Sequence, residues 1–289
     1  MRATRRGRAA RGLVLLAVVV GVAGAAYLGL RGILAPVRSV GCSAVVDGRE
    51  VEVSPEQAGN AATITGIAVR RRLPARAATI AVATAMQESK LVNLNYGDRD
   101  SLGLFQQRPS QGWGTPEQVS DPVYASNAFY DVLVKIDGYR SMQITDVAQQ
   151  VQRSAFPEAY ADHEPDARVL ASALSGHSPA ALSCTLDEKS RPAGAAGVAP
   201  FQRTLARELT TTRAVPLDGV AGVRLATRDA TATWAAAQWS VAQAERLGVA
   251  RVYADGKVWR RADEQPRWRP ATGVPAGVTV LFSDVPPPT

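Results

Sequence analysis

Between residues 55 and 182 apolar positions recur at helical spacing, broken once by a long polar stretch at residues 93–101. Ser54, Pro55 and Gln57 supply an N-cap, a first-position proline and a capping box, and they predict a helix to about residue 72. Ala58, Ala61, Ala62, Thr65, Ala68 and Val69 fall on one face of it, and the arginines at 70–72 fall near its C-terminus, where positive charge is favoured. Pro74, expected at a first helical position, opens a second helix through an alanine-rich run. Ala77, Ala81, Thr84 and Ala85 there share a face with Glu88. Three more helices are predicted at 123–137, after Asp121 and Pro122 and stopped by Gly138; at 144–152, with Thr145 or Asp146 as N-cap; and at 166–175. Upstream, Val51 and Val53 alternate as in a short leading strand at the end of a spacer.

After a Pro, Gly and Ala linker at 190–200 the periodicity changes. A helix at 201–210, a strand at 222–227 and a helix at 231–247 carrying Trp234 and Trp239 precede two strands, 251–254 and 257–260. Asp255 and Gly256 join those strands as a hairpin turn, and a last strand covers 278–282. This order predicts a small α/β sandwich with no phosphate-binding loop and no catalytic constellation.

The N-terminus is of another kind. Residues 13–30 are uncharged, mostly apolar and flanked by arginines, which predicts a single membrane span with everything after it outside the cytoplasm. The alternative is a cleaved signal peptide with Ala23, Gly24 and Ala25 at the cleavage site, giving a secreted protein. Of the 33 basic residues behind the net charge of +7, seven lie in the first 40 positions, where there is no acid; the rest of the chain is balanced. The basicity therefore belongs to the N-terminus and argues against a nucleic-acid partner. One span cannot form a transport path. In an oxidising compartment the two cysteines, Cys42 and Cys184, should pair and staple the ends of the helical region.

The polar stretch carries the candidate chemistry. Glu88 and Ser89 are followed by Gly103-Leu104-Phe105-Gln106, Gln107, and then Gln111-Gly112-Trp113-Gly114. This ordered pair of motifs resembles the Glu-Ser and Gly-Leu-Met-Gln signature of soluble lytic transglycosylases and goose-type lysozymes, with Phe105 in place of Met. The run from Asn95 to Leu102 is similar to lysozyme-like domains of cell-wall proteins in high-GC Gram-positive bacteria. The resemblance covers roughly residues 54–182. It implies a mostly α-helical lysozyme-like domain there; with the N-terminal transmembrane helix and the small C-terminal α/β domain read from the pattern, the whole is expected to be an α+β protein. The expected divisions are a basic cytoplasmic segment at 1–12, an anchor at 13–30, a spacer at 31–53, the lysozyme-like domain at 54–186, a linker at 187–200 and the tail at 201–289.

By that resemblance Glu88 is the acid in cleavage of peptidoglycan between N-acetylmuramic acid and N-acetylglucosamine, and peptidoglycan is the partner. Ser89, Gln106 and Gln107 would orient it or bind the N-acetyl group. Trp113 and Tyr160, the latter in a segment resembling one that lines the sugar cleft, would stack on sugar rings. A lytic transglycosylase needs only Glu88, as acid and then base; an inverting muramidase needs a second carboxylate, for which Asp98 and Asp100 are the candidates. Both Asp residues also suit turns, and a tethered module that binds peptidoglycan without cutting it is the non-enzymatic alternative. With two histidines, His163 and His177, and paired cysteines, neither a metal site nor a cofactor is expected, and a serine triad lacks its nucleophile elbow. His163 reads as a solvated loop residue. In the tail, Arg260, Arg261, Arg267 and Arg269 surround Trp259 and Trp268. That mixture suits gripping an anionic wall polymer, or else two tryptophans in a small core with arginines solvated at its rim.

Overall fold

Of the spacer expected at 31–53, residues 41–53 form a hairpin whose second strand holds the expected Val51 and Val53. In the computed structural model, which describes residues 39–152, 157–187, 190–209, 214–263, 265–273 and 276–283, strand β1 (Gly41–Val46) pairs antiparallel with β2 (Arg49–Val53). An Asp47-Gly48 turn joins them, a dipeptide that favours hairpins. The anchor expected at 13–30 and the basic segment before it lie outside the described residues, as do residues 153–156 of the expected cleft segment. No helix among the described residues is long and apolar enough to cross a membrane.

Helix α1 (Pro55–Arg70) starts as expected, with the Ser54 hydroxyl accepting from the Gln57 N–H and the Gln57 side chain accepting from the Ser54 N–H. It is buried on more than the expected face. Ile64 and Ile67 are fully buried too, because α1 contacts helices from both halves of the chain. Pro74 stands at the N-cap of α2 (Ala75–Ser89), one position before the first helical residue where it was expected. Two short helices follow, α3 (Pro116–Val119) and α4 (Pro122–Leu133), the second capped by the Asp121 carboxylate on the Val123 N–H. Helix α4 stops well before Gly138, the stop expected from the sequence. Helix α5 (Ile144–Gln152) falls at the expected bounds, but Thr145 and Asp146 lie inside its first turn. Helix α6 (Glu164–Leu174) begins two residues early and packs along α2. Strand β3 (Leu182–Thr185) then adds to the other edge of β1, giving the order β2-β1-β3.

Cys42 and Cys184 face each other across β1 and β3 and are disulfide-bonded, with a Cα–Cα distance of 3.9 Å. The bond closes a loop spanning 142 positions around the helical region, as expected from the sequence.

The remainder is mixed α and β. Helix α7 (Val198–Glu208) precedes strands β4 (Ala214–Pro216) and β5 (Gly222–Leu225), then helices α8 (Ala230–Ala242) and α9 (Ala244–Leu247). Strands β6 (Arg251–Ala254), β7 (Lys257–Arg260), β8 (Arg269–Pro270) and β9 (Val278–Leu281) complete an antiparallel six-stranded sheet ordered β4-β5-β9-β6-β7-β8. Helix α8 lies against β6 and β9 on one side and against α1, α6 and β3 on another. Its residues are buried almost all round, the pattern of a helix sandwiched between layers.

The described residues from Val40 onward form one compact unit, and a single apolar cluster runs through α1, α2, α8 and the large sheet. Two buried polar keys fasten the tail. Gln238 on α8 accepts from the Leu182 N–H (2.7 Å) and donates to the carbonyls of Ala173 (2.7 Å) and Ser178 (3.0 Å). The Glu208 carboxylate, 3 % exposed, accepts from Thr63 Oγ1, Trp239 Nε1, Gln243 Nε2 and Arg246 Nη2 at 2.8–3.1 Å. The linker expected at 187–200 therefore joins segments that share one core.

Candidate functional site

Glu88 sits in the last turn of α2, half-buried. The helix ends there because Lys90 and Leu91 turn left-handed, with φ of 54° and 59°. Their N–H groups return to the carbonyls of Met86 (3.0 Å) and Ala85 (3.1 Å). Neither residue is glycine, and such backbone costs of order 1–3 kcal/mol each and tends to cluster at functional positions. Arg99 and Gln106 in the following loop are also at positive φ. The strained segment thus coincides with the motif region.

Two side chains address the carboxyl group. The Tyr160 hydroxyl donates to Glu88 Oε1 (2.6 Å), and the Gln152 amide supplies a second hydrogen bond. Burial pushes the Glu88 carboxyl above its ordinary value, and the bonds from Tyr160 and Gln152 pull it partly back. The result is a carboxyl oriented from two sides that holds its proton to higher pH than a solvated glutamate. Gln152 also donates to the Phe105 carbonyl (2.6 Å), which ties α5 to the motif loop. Phe105 itself stacks on Phe129 of α4 with ring centroids 4.8 Å apart, a contact that gives the departure from Met a packing reason.

The loop is held by its own backbone and by glycines. Leu102 and Gln107 exchange two N–H···O bonds of 3.1 Å, and the Gly103 N–H reaches the Leu94 carbonyl (2.7 Å). Gly103 has φ +77°, and a Cβ there would stand 2.2 Å from the Val119 carbonyl oxygen. A Cβ on Gly97 would stand 2.6 Å from the Ser101 carbonyl oxygen, a backbone atom that cannot swing aside, so the position favours glycine. Gln106 Nε2 donates to the Tyr96 and Gly103 carbonyls, both at 3.2 Å.

Several expected site residues have other work. Ser89 is 6 % exposed, and its hydroxyl is committed to the carbonyls of Ala85 (3.0 Å) and Leu104 (2.7 Å), so it fastens the Glu88 turn to the loop. Gln107, 1 % exposed, donates to the Ala125 carbonyl (3.3 Å) and anchors the loop on α4. Tyr160 is fully buried and addresses Glu88 with its hydroxyl, so it offers no ring face to a sugar. Trp113 is half-buried and packs against the core. Asp100 accepts from the Ser110 N–H (2.7 Å), the Ser110 hydroxyl (2.9 Å) and Arg108 Nε (3.0 Å); these bonds hold its carboxyl down at about 2. Asp98 is 89 % exposed and meets only Arg99, at 3.9 Å.

Three features were not expected from the sequence. Gln152 reaches Glu88 because α5 ends beside α2. His163 is half-buried, and its Nε2 hydrogen-bonds Gln87 Oε1 (3.0 Å), so it is not simply a solvated loop residue. Tyr96, in the motif loop, is 68 % exposed, an aromatic ring available to a ligand. An exposed aromatic between Asn95 and Gly97 was the signal for it. In the tail, Trp259 is fully buried and Trp268 packs edge-on against Trp234 at 5.0 Å while donating to the Leu182 carbonyl (2.9 Å). Arg261 is buried and donates to the Ala244 and Val249 carbonyls. The tryptophans are core, as in the second of the two readings the sequence offered, but Arg261 is buried and not solvated at a rim. No group of three or more His, Cys, Asp or Glu that could hold a metal occurs among the described residues.

No protein-family model matches the chain, and no curated protein matches its sequence.

Proposed function

We propose that the chain cleaves peptidoglycan glycan strands between N-acetylmuramic acid and N-acetylglucosamine as a lytic transglycosylase, with Glu88 as acid and then base. The observation that carries this is a half-buried carboxyl whose proton is held above the ordinary range by burial while Tyr160 and Gln152 orient it. Protonated Glu88 gives its proton to the glycosidic oxygen as the C1–O bond breaks. The carboxylate left behind takes the proton of the muramoyl C6 hydroxyl as O6 closes on C1. A 1,6-anhydro ring forms, no water is consumed, and Glu88 ends as it began. Tyr160 and Gln152 stabilise the carboxylate between the two transfers.

Single-carboxylate chemistry is favoured over inversion by the state of the other acids. A general base must take a proton from water, and Asp100, spent on Ser110 and Arg108 with its carboxyl near 2, is a poor one. Asp98 lies in open solvent with no partner that would fix it. The Cys42–Cys184 bond supports work outside the cytoplasm, and residues 13–30 would tether the folded part to the membrane.

The test is digestion of purified sacculi followed by mass spectrometry of the products. Anhydro ends lost on Glu88→Gln, and kept on Asp98→Asn and Asp100→Asn, are expected. Reducing ends lost on either Asp variant would make the chain an inverting muramidase. Binding without any cleavage would make it a wall-anchoring module.

A further inference from the structure

At the far end of the α1–α2 hairpin from Glu88 lies a cavity of about 160 Å³. Gln57 Nε2 on the first turn of α1 donates to the Lys90 carbonyl, so the Glu88 end of α2 sits beside the start of α1. The cavity uses Val69 and Arg70 at the finish of α1, which at 1.5 Å per residue is ~20 Å away. It is a separate place on the molecule.

Its buried walls are apolar, from Leu209, Leu225 and Ala236, with Val69 half-buried beside them. Three arginines share the lining: Arg70 at the end of α1, Arg72 just beyond it, and Arg228 just before α8. Among the described residues, no acidic one lines it. The two carboxylates adjacent in sequence to lining residues are engaged: Glu208 in the buried cluster with Thr63, Trp239, Gln243 and Arg246, and Asp229 in capping α8 through the Ala232 N–H (2.7 Å) and meeting Arg228 Nε (3.2 Å). Arg70 makes only a long contact, 3.4 Å, to the Ala206 carbonyl. The positive charges at 70 and 72 serve the C-terminus of α1, but that role does not bring Arg228 to the same cavity from the segment before α8, nor does it account for the apolar residues of the lining.

We propose that this cavity binds an oxyanion, carboxylate or phosphate, carried on a compact apolar body. The arginines would hold the anion through charge-assisted and bidentate hydrogen bonds, and the apolar part of the lining would take the apolar body. The volume sets the size of that body, since a dry cavity of about 150 Å³ accommodates benzene. Nothing in this assignment depends on Glu88 being catalytic.

The experiment is calorimetric titration of the full chain with benzoate, phenyl phosphate and the neutral benzyl alcohol. Binding of either anion at millimolar concentration or below, with benzyl alcohol much weaker, is expected, and the anion taken identifies its source. Arg228→Gln and Arg72→Asn should each weaken the anion about tenfold, the scale of one charge-assisted hydrogen bond. Asn is chosen because Arg72 is left-handed, with φ 58°, and Asn tolerates that backbone. Glu88→Gln should bind like the parent, which separates this site from the lytic one. The proposal falls if no probe binds at millimolar concentration, if benzyl alcohol binds as well as benzoate, or if the arginine variants bind unchanged.

Discussion

Replacing Tyr160 by Phe removes one oxygen and leaves a ring that the fully buried site already accommodates. The lost contact is the 2.6 Å hydroxyl bond to Glu88 Oε1, a short hydrogen bond to a group that must become charged during the reaction. Such bonds contribute about 1.5–3 kcal/mol, and some of that is already present when Glu88 is protonated. If about 1–2 kcal/mol of it develops only as the carboxylate forms, proton donation should slow roughly five- to thirtyfold. The pH dependence gives a second, independent reading. The Tyr160 bond pulls the Glu88 carboxyl down and burial pushes it up; without the bond only the Gln152 hydrogen bond opposes burial, so the carboxyl rises further. The acid limb of the mechanism needs protonated Glu88, so the alkaline edge of the profile should move to higher pH in Tyr160→Phe. Initial rates of turbidity loss with purified sacculi, taken across pH, would measure both effects. A variant as fast as the parent with an unmoved alkaline edge would refute the coupling of Tyr160 to the acid.

The buried carboxyls give two stability predictions. Because the folded-state value of Glu88 is raised, folding favours its protonated form, and ionisation at neutral pH costs stability. Glu88→Gln should therefore melt higher than the parent at neutral pH, with the difference closing as pH falls below the ordinary glutamate value of about 4.3; a gap that is constant with pH would contradict the burial reading. Glu208→Leu leaves the donors of Thr63, Trp239 and Gln243 without their carboxylate, which should cost about 3–5 kcal/mol in urea unfolding. Glu208→Gln, which keeps one acceptor oxygen, should cost less. Unfolding in two separate transitions, with the substitution affecting only the second, would show the tail to be independent of the helical region.

The features legible in the sequence were those whose cause is local. The Ser54 and Gln57 capping box, the Asp121 cap and the Asp255-Gly256 turn each need only neighbours a few residues away, and each stands where its residues point. The Asp47-Gly48 hairpin had the same kind of signal, with valines on both sides, but reading the stretch as a spacer hid it. The docking of the tail had no local signature. Gln238, Glu208 and Gln243 are polar residues on helices, and only partners 31 to 184 positions away explain their burial. The one available clue was the apolar character of α8 on all its faces, which a helix covering a single sheet does not need.

Glu88 illustrates how a fold-level feature becomes a chemical one. Ala77, Ala81 and Ala85 run up the face of α2 that ends at Glu88, and all three are fully buried. Small side chains let a neighbouring helix approach closely, and α6 packs along α2. The 3₁₀ segment Pro157–His163 leads directly into α6 and also packs on α2, so Tyr160 arrives at Glu88. A leucine at the fully buried Ala81 or Ala85 should disturb the packing around α2, and a Glu88 carboxyl returned toward its ordinary value in that variant would tie the burial of the acid to this face. The alanine run is a fully buried small-residue face that ends at the acid, and the sequence displays it openly. What it could not display was the partner: a tyrosine 72 positions away, expected to stack on sugar, that orients the carboxyl instead.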